Sequence, residues 1–211
     1  MAVDERGGAG MANQAGAGRT NQKLRTRTAI LAAARELIEA GSEVAMPAIA
    51  RAALVSEATA YRYFPDLPSL ISEALAGAWL PPAEALAPVA GSADPAERIA
   101  FACDYLLRGI LARQGSVRAM IAATITRPET VAARPGIRFG LIDEALRPME
   151  DTLGAADPDA FAQLKRGLAV VVSAEALFVL TDLCGLEADE AVASAVRTAV
   201  ALTRAATHPA A

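Results

Sequence analysis

The sequence predicts an all-α chain, and three observations carry that expectation. Alanine is abundant while aromatics make up only 4% of residues, and Ala suits helices because it loses no side-chain entropy there. No stretch alternates apolar and polar residues with the period of two that a half-buried strand requires. Helix-opening pairs recur instead. Asp94-Pro95 and Asp157-Pro158 each join a capping carboxylate to a proline whose missing N–H is harmless in a first turn.

Residues 1–20, mostly Gly, Ala, Asn and Gln, read as a mobile tail. Their glycines follow no strand pattern and precede no Gly-Lys-Ser/Thr, so a phosphate loop is excluded. From Arg25, the spacing of Ile30, Leu31, Ala34, Leu37 and Ile38 predicts an amphipathic helix that Gly41-Ser42 ends. Met46-Pro47 opens a second helix to about Ala53. After a break at Leu54-Val55, Ser56 caps a third, which Phe64-Pro65-Asp66 stops after about two turns. Pro68 starts a fourth, reaching Trp79 before Pro81-Pro82.

Longer segments follow. Helices are expected from Asp94-Pro95 to about Arg113, over Val117–Thr126 and over Gly136–Leu153. Asp157-Pro158 opens the longest, to about Cys184-Gly185, and the last spans Asp189–Ala206. The domains expected are therefore a tail over 1–20, a small helical unit over 21–67, a larger one over 68–206, and a tail over 207–211.

The net charge of −4 is unevenly distributed. Residues 1–75 hold eight basic and eight acidic residues, the remainder twelve and sixteen. Within the first piece Arg19, Lys23, Arg25 and Arg27 form a basic arm with no acid among them. That argues for a small polyanion-facing surface and against a nucleic-acid coat over the whole protein. Cys103 and Cys184 both sit in apolar stretches and read as two buried free thiols in a reducing compartment. The apolar run Leu168–Leu180 is interrupted by Ser173 and Glu175, short of the roughly 20 residues that span a bilayer. No apolar segment follows the N-terminus, so a cytoplasmic protein without membrane contact is expected.

The functional signal lies in the third helix, Glu57-Ala58-Thr59-Ala60-Tyr61-Arg62-Tyr63. Hydroxyls, one arginine and small alanines make poor core. They suit a major groove, where small residues permit close approach and hydroxyls bond phosphates.

Arg27 to Leu70 resembles the DNA-binding domain of the TetR family of bacterial transcription regulators (TetR/AcrR type). The resemblance rests on Leu37-Ile38-Glu39-Ala40-Gly41, Ile49-Ala50, Val55-Ser56, Thr59, Tyr61-Arg62-Tyr63-Phe64-Pro65 and Leu70. It implies a helix-turn-helix domain followed by an all-helical region that binds a small-molecule effector and forms a homodimer. The implied function is a ligand-responsive repressor on an inverted-repeat operator in double-stranded DNA. Carried over, it implies phosphate contacts from Thr59, Tyr61 and Tyr63 and base contacts from Glu57, Ala58 and Arg62. Pro47 would lie near the DNA backbone or the groove floor, and Ser56 and the arm residue Arg25 complete the candidate DNA-binding set. The sequence departs from the family at Leu54, where glycine is usual, at Met46, where threonine often caps, and at Leu67, where a lysine is common. If the backbone at Leu54 is left-handed, the leucine costs roughly 1 kcal/mol. The basic arm is expected to supply the phosphate charge that Leu67 does not provide.

In the larger region, candidate effector contacts are Trp79, Phe101, Tyr105, Arg108, Met120, Thr124, Phe139, Met149 and Phe178, each also suited to ordinary core packing. Glu175, flanked by Ala174 and Ala176, needs a partner if buried: Arg108, Arg118, a cationic effector or a second subunit. The two C-terminal helices, rich in Ala, Val and Leu, are the candidate dimer face.

An enzyme is not expected. The single histidine, His208, is in the tail, no ligand cluster has metal spacing, and no nucleophile elbow or cofactor motif occurs. The competing readings are an activator, or a helical ligand-binding protein whose DNA-reading part has decayed.

Overall fold

A computed structural model describes residues 8–42, 44–126 and 136–207, with side chains placed from Thr20 onward. Eleven α-helices and no strand occur among the described residues, so the chain is all-α.

The first four helices build one core. They are α1 (Gly8–Glu39), α2 (Met46–Ala52), α3 (Glu57–Tyr63) and α4 (Leu67–Ala74). Ile30, Ala34 and Ile38 of α1 meet Ile49 and Ala50 of α2, Ala60 of α3, Phe64, and Leu70 and Ile71 of α4, all buried. Each helix start follows from its cap. Ser56 accepts from the Thr59 amide at 3.2 Å, and Asp66 accepts from the Ser69 amide at 2.7 Å. At α2 the cap is Ala45, which offers no oxygen, and Met46 is instead a buried core residue.

α1 begins at Gly8, so the tail expected over 1–20 is corrected to helix from that residue. Adding residues to an existing packed helix avoids the unfavourable nucleation step, which outweighs the glycines there. α4 ends at Ala74, short of the expected Trp79. Its last carbonyl accepts from Arg35 Nε at 3.0 Å, and Gly77 then turns the chain with a φ of 84°.

A second core fills the remainder. It is built by α5 (Pro82–Ala85), α6 (Pro95–Leu111), α7 (Gln114–Thr126), α8 (Ile137–Leu146), α9 (Pro158–Val171), α10 (Ala174–Phe178) and α11 (Ala188–Thr207). α6 is central: Ile99, Ala102, Cys103, Leu106, Leu107 and Ile110 are buried against α8 and α11. Two expected helices are interrupted. The one over 136–153 passes after Leu146 into a 3₁₀ turn and then a π turn. The one over 157–184 breaks at Val172, where Ser173 caps α10 by accepting from the Ala176 amide at 3.0 Å, and it ends in a π turn over Val179–Leu183. Ser173 is itself buried and donates to the Val170 carbonyl at 2.7 Å. Cys103 is buried as expected, but Cys184 is exposed, because it lies at the open end of that π turn.

α7 packs against α4, and its Met120 lies in the first core while Val117 lies in the second. His208 is outside the described residues. No helix among those described is long and apolar enough to cross a membrane.

Candidate nucleic-acid interface and core cavity

α2 and α3 pack together around a tight turn, and the turn holds the one non-glycine residue with a positive φ among those described. The Val55 amide donates to the Ala50 carbonyl at 3.0 Å and the Leu54 amide to Arg51 at 3.1 Å. This pair of bonds is the helix-ending pattern that needs a left-handed residue between the two. Leu54 supplies it, with φ 55°. The same pattern closes α1, where Ser42 donates to Leu37 and Gly41 to Ile38, and there the left-handed residue is a glycine with φ 63°. Leu54 is 93% exposed, so no packing offsets the strain.

α3 is held by one buried residue, Ala60. Glu57, Ala58, Tyr61 and Arg62 are exposed, and Thr59 and Tyr63 are half-buried. Ser56 Oγ lies 2.9 Å from Thr59 Oγ1, so one hydroxyl donates to the other within the cap. The Arg62 guanidinium lies 5.5 Å from the centre of the Tyr63 ring. Pro47 is exposed in the first turn of α2. The result is a short helix whose outer surface presents an arginine, a carboxylate at its N-terminus and aromatic hydroxyl-bearing rings.

The basic arm lies within α1. Lys23 and Arg25 are exposed, whereas Arg27 faces inward, forming a two-pronged ion pair with Glu73 of α4 and stacking on Phe64 at 4.8 Å. Arg27 is therefore a clamp between α1 and α4. The side chain of Arg19 lies outside the described residues. Leu67, half-buried, packs on the first core.

Between the two cores is a cavity of about 70 Å³. Its walls are mostly apolar, from Leu75, Leu106, Ile110, Val117, Met120, Ile121, Ile137 and Val172, with Trp79, Arg138, Ser173 and Glu175 as polar elements. Of the sequence-predicted contacts, Trp79, Met120 and Glu175 line it. Phe101, Tyr105 and Arg108 line a neighbouring surface cleft, which also includes Trp79. Phe178 is half-buried against the second core, with the Arg118 guanidinium 3.8 Å from its ring centre. Thr124 is buried and donates to the Ile121 carbonyl, Met149 is core, and Phe139 is 54% exposed. The helical phase of α8 turns Phe139 away, because Leu141 and Ile142 take the inward side.

The ion pairs also differ from expectation. Arg108 pairs with Asp104 and Asp189, and Arg118 with Asp182, holding that carboxyl down to about 2. Glu175 meets neither of them; its arginine is Arg138, at 3.5 Å. No sequence pattern marks Arg138. Arg98 carries one, since it falls on the apolar stripe of α6, yet its role emerges only in the fold. It is 3% exposed and donates to the carbonyls of Val89, Ala90, Glu144 and Ala145. No group of residues suited to hold a metal ion occurs among those described.

A short exposed helix, capped and set against a second helix by a tight turn, is helix-turn-helix geometry, the arrangement with which DNA-binding proteins enter the major groove. Residues 30–74, from Ile30 in α1 to Ala74 at the end of α4, match the family model of bacterial regulatory proteins, tetR family. That match shows a TetR-family DNA-binding domain in the N-terminal part of the chain and supports a DNA-binding transcriptional regulator. No curated protein and no solved structure matches the chain.

Proposed function

We propose that the chain is a cytoplasmic homodimeric repressor that binds an inverted-repeat operator and is released by a small-molecule effector in the central cavity. The carrying observation is the exposure of α3: only Ala60 is buried in packing, which leaves Glu57, Ala58, Tyr61 and Arg62 free to meet a groove. Arg62 is the guanine reader, since its fork matches O6 and N7. Thr59, Tyr61 and Tyr63 contact phosphates with Ser56 and Pro47 nearby, and Lys23 and Arg25 add charge from the arm.

The domains of this reading are a reading head over 21–67 and an effector and dimer region over 68–206. The dimer reading is supported by exposed apolar residues on the C-terminal elements: Val170 of α9, Val179 and Leu183 of the π turn, and Leu202 of α11. Two copies joined there would present two α3 helices to successive major grooves about 34 Å apart. Effector release is supported by Leu75 and Met120, which belong to the first core and also line the cavity. A ligand that pushes these two side chains changes the packing under α4. Release requires only that it binds the DNA-incompetent form more tightly, and a hundredfold preference is about 2.7 kcal/mol.

The test is a fluorescence-anisotropy titration against DNA upstream of the protein's own coding region, repeated at several salt concentrations. Arg62→Ala should weaken specific binding by about 1–3 kcal/mol and relax sequence preference. Deleting residues 1–25 should lower the salt slope by about two charges. Equal affinity for unrelated DNA at every salt concentration would instead favour a ligand-binding protein with a decayed reading head.

A further inference from the structure

Besides the Trp79 indole, the polar groups of the cavity lining are Arg138, Ser173 and Glu175. Arg138 sits in the first turn of α8, a ten-residue helix, and both Ile137 and Arg138 line the cavity. The Ile137 and Arg138 amides lie at the positive end of the helix dipole, while the Phe139 amide donates to the Gly136 carbonyl at 3.1 Å. Arg138 adds a full positive charge at the same place. Its side-chain hydrogen bonds among the described residues both leave from Nη1 and are long, 3.3 Å to the Ala169 carbonyl and 3.5 Å to Glu175. Nε and Nη2 thus keep one edge of the guanidinium fork available for a planar, two-oxygen acceptor. The other polar group deep in the site, the Ser173 hydroxyl, is committed to Val170 and Ala176.

We propose that the cavity takes an apolar monocarboxylate, whose carboxylate docks on Arg138 at the start of α8 while its hydrocarbon body lies among Leu106, Ile110 and Val117. This inference rests on the reading of the cavity as an effector site and names the effector's chemistry. Glu175, 43% exposed and 3.5 Å away, meets the guanidinium only loosely; a ligand carboxylate at ordinary bidentate distance makes the stronger partner. A cationic ligand would have to compete with Arg138 for Glu175, the carboxylate of the lining, and would stand beside that guanidinium and the helix N-terminus. The free volume of about 70 Å³ is several times the roughly 10–15 Å³ that admits one water, which suits a short alkyl body.

Trp79, the only tryptophan in the sequence, lines the cavity, so its emission reports occupancy directly. The full-length protein is titrated with hexanoate, hexylamine and hexanol at constant ionic strength, with Trp79 emission as readout. Hexanoate should bind at least tenfold more tightly than either the neutral or the cationic analogue. Arg138→Gln should abolish that preference and leave hexanol binding unchanged, with thermal melting showing that the variant is folded. Glu175→Gln removes the competing carboxylate and should tighten hexanoate binding. Equal or tighter binding of hexylamine, or an Arg138→Gln protein that still prefers hexanoate, overturns the assignment. The two readings fail separately: hexanoate that binds with the expected preference yet leaves DNA affinity unchanged removes the effector role and keeps the carboxylate site.

Discussion

Gly109 of α6 lies flat against the indole of Trp79, so close that a Cβ at this position would overlap the six-membered ring. Tyr105, one turn earlier, meets the same indole edge-on at 6.0 Å, and its hydroxyl accepts from the Leu80 amide at 3.1 Å. Arg113, one turn later, lies 5.6 Å from the ring centre. The segment that follows α4 is therefore pinned to α6 by the Leu80–Tyr105 hydrogen bond and by the Trp79 ring, which also walls the cavity. Together with α7, which packs on α4, this contact couples the first core to the second.

Gly109→Ala tests the pin. In an ordinary helix interior the change stabilises by about 1 kcal/mol. Here the overlap should reverse the sign and destabilise by about 1–3 kcal/mol, with a shift in Trp79 emission. Urea denaturation followed by circular dichroism measures the first and fluorescence the second; a stabilised variant with unchanged emission would refute the contact.

Leu54→Gly tests the strained turn. The left-handed backbone costs a leucine roughly 1 kcal/mol, whereas glycine adopts it freely but adds unfolded-state entropy. With 93% of the residue exposed, little packing depends on the side chain. The variant should be more stable by up to about 1 kcal/mol in chemical denaturation, and a drop in stability would mean that the side chain has a packing role.

Arg98→Met removes a buried cation from four carbonyls and from Glu144, which it meets at 3.1 Å. Two of those carbonyls, Glu144 and Ala145, belong to the end of α8, where no intrahelical donor remains. Glu144 retains Arg147 as a partner, which limits the damage. Destabilisation of about 3 kcal/mol is expected, large enough to lower the melting temperature by several degrees in a calorimeter. A change below about 1 kcal/mol would show that water replaces the guanidinium.

The two thiols should separate cleanly in a reaction with a disulfide reagent at about pH 8. Burial, with Asp104 beside it, pushes the Cys103 thiol up to about 12, so almost no thiolate forms there. Cys184 is exposed. One fast equivalent is expected from the native protein and a second only after denaturation, since the thiolate is the reactive form. Raising the pH by a further unit or so should leave the slow equivalent slow while the fold persists.

Much of this architecture was legible in residue chemistry alone. Ser56, Asp94 and Asp157 each cap the helix that follows, because a cap is a bond between residues two or three apart. Leu54 could be singled out, and the positive φ follows from the same local bonding. The all-α class and the exposed third helix were equally accessible, since the spacing of buried residues along one helix is set by its own pitch. Contacts between distant segments were not. Nothing near Arg98 indicates that four carbonyls from two other segments converge on it, and nothing near Glu175 selects Arg138 over Arg108 or Arg118. The break at Val172 likewise depends on what the rest of the chain packs against. Local order is written in neighbours within a turn or two; partners, cavities and interruptions arise when helices far apart in the chain compete for the same space.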